Sequence, residues 1–219
     1  MELNQPVGLF ITIEGIEGAG KSTQARMLGE ALLNRGRTVL VTREPGGTPI
    51  GDRIRAILLS PGESSMDAVT ELMLYFASRA QHLAERVRPA LESGAVVICD
   101  RYSDATLAYQ GGGRGLDSDA LMAIDRFVTS GLRPRRTYLL DLPVGAGLIR
   151  ARRRNLERGL TGTEDRYEEE SLEFHERVRR AYLDLAAADP ARFCVVSAAA
   201  DAHQVHAVLL HDVLAIGAC

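Results

Sequence analysis

Cysteine is scarce in this 219-residue chain, and nowhere does it run apolar for 18 residues. The three cysteines, Cys99, Cys194 and Cys219, are odd in number, far apart and without a C-x-x-C, which argues against a disulfide framework and a zinc site and fits a reducing cytoplasm. The missing apolar run argues against a membrane span, and the start "MELNQPVGLF" lacks the basic and apolar regions of a secretory signal. An excess of one charge is missing too. Against 29 acidic residues stand 26 basic ones, and a net charge of -3 gives no global pull toward nucleic acid or an anionic membrane, so a small ligand is the expected partner. What is present is ordinary: 46% hydrophobic and 25% charged residues with no biased tract read as one compact globular domain over 1–219, long enough to bury roughly 70% of its unfolded surface.

Five short β-branched runs recur, at 8–14, 37–43, 94–100, 136–142 and 192–198. They are near-continuously apolar rather than alternating, the pattern of strands buried on both faces of a parallel sheet. Helical stretches separate them: "KSTQARMLGEALLNRG" closes at Gly36, and a longer one runs from Ala68 to Gly94. This alternation predicts an α/β fold, a five-stranded parallel sheet flanked by helices in a three-layer sandwich with right-handed crossovers. The segment 150–170, "RARRRNLERGLTGTEDRYEEE", is densely charged and by itself reads as a solvated helix–turn–helix. His203, His206 and His211 have no carboxylate or cysteine in register and are assigned to the surface of the last helix.

The chemistry begins at "EGIEGAGKST", Glu14 to Thr23, which carries G-x-x-x-x-G-K-S directly between the first strand and the first helix. Gly15, Ile16, Glu17, Gly18, Ala19 and Gly20 form a loop whose backbone N–H groups can turn inward on an anion. The helix beginning at Lys21, Ser22 and Thr23 adds its positive dipole end, Lys21 reaches the terminal phosphates, and Ser22 can ligate Mg²⁺. A chance match in a chain of this length is on the order of one in a hundred, and its position lowers that further. A nucleoside triphosphate is the expected ligand. Asp100, closing "AVVICD", is the expected metal-orienting acid, with Asp141 of "LLDL" ranked second.

No N-K-x-D or T-K-x-D follows a strand, which disfavours a GTP switch. Instead, Arg43 in "TREPGGTP" and Arg101 in "DRYSDATLAYQGGGRG" stand at strand ends on the edge that carries the phosphate loop. In an open parallel sheet ligands gather outside the carboxyl ends of the strands, and a guanidinium matches a phosphate monoester. Two such arginines predict an acceptor that is itself a nucleoside monophosphate. The rivals are a P-loop kinase acting on another base or on a nucleoside, and a nucleotide-dependent binding switch with no acceptor.

With these motifs in hand, "IEGIEGAGKST", "TREPGGTPIG", "YFASRAQ", "DRYSDATLAYQGGGRG" and the arginine-rich segment in this order, nearly the whole chain resembles the bacterial thymidylate kinases. The resemblance implies a P-loop kinase fold, the reaction ATP + dTMP ⇌ ADP + dTDP, a cytoplasmic homodimer, and a mobile lid at about 150–170. It also implies roles. Glu17 meets the deoxyribose 3′-hydroxyl or a metal-bound water beside it, and Arg43 and Arg101 bind the acceptor phosphate. Arg79 bonds a thymine carbonyl, and Tyr75 stands where the family usually stacks a Phe on the base, unless Phe76 does so. Thr106 and Gln110 face the pyrimidine edge, and Tyr109 packs beside the sugar. Gly18 and Ala19 stand where one subtype of the family carries a catalytic arginine, so the chain resembles the subtype whose lid supplies it. Arg154 or Arg158 is then expected on the phosphates, Arg150 near adenine, and Glu168 near the metal. The loop 197–202 is expected at the adenine edge.

Overall fold

The computed structural model describes residues 8–60, 66–158 and 166–217, with the side chain of Arg158 outside that description. The middle of the expected lid, 159–165, therefore lies outside it as well. Five strands, β1 (Leu9–Glu14), β2 (Val39–Arg43), β3 (Val96–Asp100), β4 (Arg136–Asp141) and β5 (Phe193–Ser197), form one sheet in the order β2-β3-β1-β4-β5. Every pairing is parallel, and the α/β sandwich expected from the sequence is borne out. The chain leaves β1 toward one side of the sheet and later returns to its other side. A crevice forms at such a reversal, and the register brings the strand ends there together: Asp100 is level with Arg43 on one side and with Ile13 on the other.

Helices α1 (Lys21–Leu33) and α9 (Ala202–Ala215) cover one face, where Ile11, Ile13, Leu28, Ile98 and Leu209 form a fully buried core. The other face carries α3 (Ala68–His82) and its continuation α4 (Arg88–Glu92), together with α8 (Leu172–Ala188). Phe10, Leu83, Val87 and Val97 pack there, and beside them Leu139 meets Phe174, Val178 and Tyr182. Strand residues thus alternate between two apolar layers, which is why their runs look continuous in sequence. No helix among the described residues is long and apolar enough to cross a membrane.

Two departures from the expected elements have physical causes. The long helix from Ala68 widens into a π-turn at Leu83–Val87. Pro89 follows at once, and it has no N–H to give the carbonyl four residues back. The stretch "DRYSDATLAYQGGGRG", given no element from the sequence, carries two. A short helix α5 (Ser103–Thr106) runs into a π-helical segment, Leu107–Gly113, before α6 (Ser118–Thr129). Its glycines allow close approach: a Cβ on Gly112 would lie 2.5 Å from that of Ala181, and one on Gly113 would lie 2.6 Å from the Phe174 ring. Helices α2 (Pro49–Leu59) and α7 (Val144–Arg158) complete the architecture.

Because ring and backbone cannot both retreat, Gly113→Ala is expected to destabilise the fold by about 1–3 kcal/mol. In thermal melting this reads as a fall of roughly 2–10 °C.

Candidate active site

The phosphate loop runs from the end of β1 to the start of α1 through glycines that take left-handed backbone, Gly15 at φ 138°, Gly18 at 71° and Gly20 at 92°. Lys21 bends back across it and donates to the Ile16 carbonyl at 2.8 Å. Ser22 Oγ donates to Asp100 Oδ2 at 2.5 Å, so hydroxyl and strand-end acid form one pair beside the loop. Asp141, the competing acid, has both oxygens on Arg179 at 2.8 and 3.0 Å. The loop also lies against the first turn of α7. A Cβ on Gly18 would stand 2.0 Å from the Gly147 carbonyl, and one on Gly147 would stand 2.5 Å from that of Glu17.

Arg101 follows β3 with φ 71°, a left-handed conformation that costs a non-glycine residue roughly 1–2 kcal/mol. Such strain persists only where the surroundings over-determine it, and here they do. Its N–H donates to the Ile13 carbonyl at 3.1 Å. Its guanidinium donates to Glu17 Oε1 at 2.9 Å, to the Tyr109 hydroxyl at 2.9 Å and to the Tyr182 hydroxyl at 3.1 Å. Tyr109 in turn donates to Glu17 Oε1 at 2.6 Å. Burial raises the Glu17 pKa, but His175, Arg101 and Lys21 outweigh it and hold the carboxyl far below the usual range. His175 Nδ1 stands 3.4 Å from Glu17 Oε2, an electrostatic contact rather than a hydrogen bond, so that oxygen keeps no hydrogen-bond partner.

Lys21, Ser22, Arg43, Asp100, Arg101 and Arg154 line one cleft of about 320 Å³. Arg43 is half exposed and lies 3.8 Å from Asp52. The same cleft is also lined by Tyr75, Arg79, Thr106, Tyr109 and Gln110. Tyr75, not Phe76, faces it: Phe76 packs with Leu72 and Leu121 in a separate apolar cluster. The Tyr75 hydroxyl finds its partner in Tyr167 at 3.0 Å. Arg79 is 2% exposed and donates to Glu44 at 2.7 Å, Asp125 at 3.2 Å and the Thr106 hydroxyl at 2.9 Å. Of the five N–H hydrogens on its guanidinium, two remain.

From α7, Arg154 donates to Glu168 at 3.1 Å, and Asn155 donates to the same oxygen at 2.8 Å. Arg150 reaches instead to the Ala198 carbonyl in the loop after β5, at 2.8 Å. Sequence reasoning missed His175 and Tyr182 of α8, Glu14 and Arg55. Tyr182 donates to Glu14 at 2.8 Å while holding Arg101, and Arg55 lines the cleft beside Arg43. Phe174, Val178 and Tyr182 do form a stripe at four-residue spacing, and His175 is fully buried beside it; that periodicity was the available signal.

A phosphate loop and strand-end arginines lining one cleft, on a parallel sheet, define a P-loop phosphotransferase. Similarity to known proteins narrows the class. The chain matches the family pattern described as thymidylate kinase over residues 13–209. It is 53% identical over 202 residues to a thymidylate kinase of Pseudomonas syringae pv. tomato, covering 92% of this chain and 93% of that one. It is 51% identical to a thymidylate kinase of Geobacter sulfurreducens, covering 95% and 97%. The crystal structure of a thymidylate kinase from Ehrlichia chaffeensis superposes with a TM-score of 0.75 at 30% identity, covering 94% of this chain and 98% of that one. The chain belongs to the thymidylate kinase family.

Burial, with the neighbouring Arg101 charge, pushes the Lys21 ammonium down to about 8. A bound triphosphate favours the charged form and raises that pKa again. Triphosphate binding should therefore take up a proton at about pH 9, approach proton neutrality near pH 7, and weaken as pH rises through 8. Titration calorimetry in buffers of different ionisation enthalpy measures the uptake, and none at about pH 9 would contradict it.

Proposed function

We propose the residue roles that follow for the reaction of this family, transfer of the γ-phosphoryl group of ATP to dTMP to give dTDP and ADP. The observation that carries them is that Lys21, Ser22, Arg43, Arg101, Tyr75 and Arg79 all line one cleft. Loop amides from Gly15 to Thr23, with Lys21, hold the ATP phosphates. Arg43 and Arg101 hold the dTMP phosphate, which sets the acceptor oxygen in line with the γ-phosphorus; such alignment supplies most of the catalysis in phosphoryl transfer. Arg101 and Arg154 meet the charge that develops on the moving group, and Arg158 remains the alternative from the lid. Arg150, tied to the loop after β5, borders the adenine.

Glu17 Oε2, buried and without a hydrogen-bond partner, is an acceptor suited to the deoxyribose 3′-hydroxyl. Tyr109 packs beside the sugar, Tyr75 stacks on the base, and Arg79, Thr106 and Gln110 read its edge. The hard oxygens of Ser22 and Asp100 suit Mg²⁺, with Glu168 as the further candidate ligand. When bound, the ion neutralises charge on the β- and γ-phosphate oxygens.

We also infer a homodimer in the cytoplasm. Helices α2, α3 and α6 pack side by side and together expose Ile50, Ile57, Val69, Met73, Met122 and Phe127, the last 86% exposed. Exposed apolar side chains of this size suit an interface, and a second copy of the chain is its occupant. Cys99 and Cys194, both free, suit a reducing compartment.

An ADP-release assay with dTMP, dUMP, CMP, GMP or no acceptor tests the reaction, and dTMP should be much the best acceptor. Lys21→Ala should abolish turnover. Arg101→Ala, which removes charge-assisted bonds, should cut kcat/KM for dTMP by about 10- to 100-fold; full activity in either variant would contradict the assigned roles. In sedimentation, wild type should run as a dimer and Phe127→Glu as a monomer, whereas a monomeric wild type would remove the dimer.

A further inference from the structure

Glu71 is fully buried in α3, two turns before Arg79, and its carboxylate is saturated. Oε1 accepts from Gln110 Nε2 at 2.8 Å and from Arg114 Nε at 3.3 Å. Oε2 accepts from Arg114 Nη2 at 3.1 Å and from Arg166. Two arginines keep it ionised: burial raises its pKa, but the Arg114, Gln110 and Arg166 contacts more than offset that and leave it lowered. An ionised carboxylate only accepts, and this has a consequence for Gln110.

The Gln110 side chain is 1% exposed and lines the cleft. Both hydrogens of its Nε2 are committed, one to Glu71 and one to the Tyr167 hydroxyl at 3.3 Å. Turning the amide over would set Gln110 Oε1 against Glu71 Oε1, two acceptors with no proton between them, in a site where an unmade bond is costly. The amide therefore has one orientation, and the atom left for a ligand is an acceptor, Oε1.

We propose that Glu71 sets the base specificity of this enzyme by fixing the Gln110 amide so that only its carbonyl oxygen is offered to the acceptor base. This rests on dTMP as acceptor with its pyrimidine edge at Gln110. Thymine presents a carbonyl at position 4 and an N–H at N3, which match a donor from Arg79 and the acceptor from Gln110. A cytosine ring presents an amino group and a bare N3 lone pair, so it meets donor against donor and acceptor against acceptor. A site built around a particular hydrogen bond rejects the ligand that cannot make it far more strongly than a site built on shape. Glu71 touches no substrate. It is a positioning residue, and Arg79 is an independent second check on the base.

The test is the ratio of kcat/KM for dTMP to that for 5-methyl-dCMP, which keeps the methyl group and changes only position 4 and the N3 proton. Glu71→Gln can itself donate to Gln110 Oε1, so both amide orientations become available and the ratio should fall about tenfold. Glu71→Asp keeps an acceptor-only group and should hold the ratio within about threefold of wild type even where its melting temperature drops. A folded Glu71→Gln variant with an unchanged ratio, or a Glu71→Asp variant that loses the ratio equally, overturns the proposal. Should Glu71→Gln not fold, Gln110→Leu replaces it: the ratio should again fall about tenfold, and an unchanged ratio overturns the proposal. If wild type itself does not phosphorylate dTMP, the assigned reaction fails and this inference goes with it; if it does and only the ratios disagree, this inference alone fails.

Discussion

One ion pair, Arg101 with Glu17, holds the site together. It joins the end of β3 to the phosphate loop at 2.9 Å, and the Tyr109 and Tyr182 hydroxyls complete the guanidinium's shell from two further elements. Burying two charges is costly even when they meet, and Arg101 adds the cost of its left-handed backbone. Neither is a good investment in stability alone. Both make sense if a cation must stand beside Lys21 in a dry cleft, for which Glu17 supplies the balancing charge. Burial together with Arg101 lowers the Lys21 pKa, while Asp100, Glu17 and Glu14 act in the opposite direction.

A second tier of carboxylates fixes Arg79 and Gln110, the groups proposed to face the base. Glu44 grips Arg79 from β2's end while His82 Nδ1 stands 3.0 Å from its other oxygen, and the His82 Nε2 lies 2.7 Å from Thr42. Asp125 of α6 holds both Arg79 and Ser103. Glu71 does the same for Gln110, Arg114 and Arg166. Each acid sits behind a donor and limits the directions in which that donor can turn. The far end of the cleft is thus organised from the back, by residues that line little of it.

How much of this is visible in the sequence depends on how far apart the partners lie. The phosphate loop is a local motif, and its position between strand and helix made Lys21 and Ser22 legible at once. Arg43, Asp100 and Arg101 were legible because parallel strands of similar length bring their ends to one edge. Tyr75 and Arg79 share one helical turn, a spacing that survives folding. The α8 residues were not legible: Tyr182 meets Glu14 across 168 positions, and nothing local to His175 marks it as the neighbour of Glu17. The triple glycine at 111–113 carries no such local signal either, and it serves here to let a π-helical segment press against α8. Its function lies in what the partner helix carries, Phe174 and Ala181.

The backbone contact between Gly18 and Gly147 has a bearing on how such enzymes diversify. With a left-handed φ and a carbonyl 2.0 Å from the site of any Cβ, position 18 admits no side chain while α7 holds its place. An arginine cannot enter at position 18 by a single replacement; the first turn of α7 would have to be rebuilt along with it. Loop and helix are therefore matched at this one contact, and a change of backbone on either side must be met on the other.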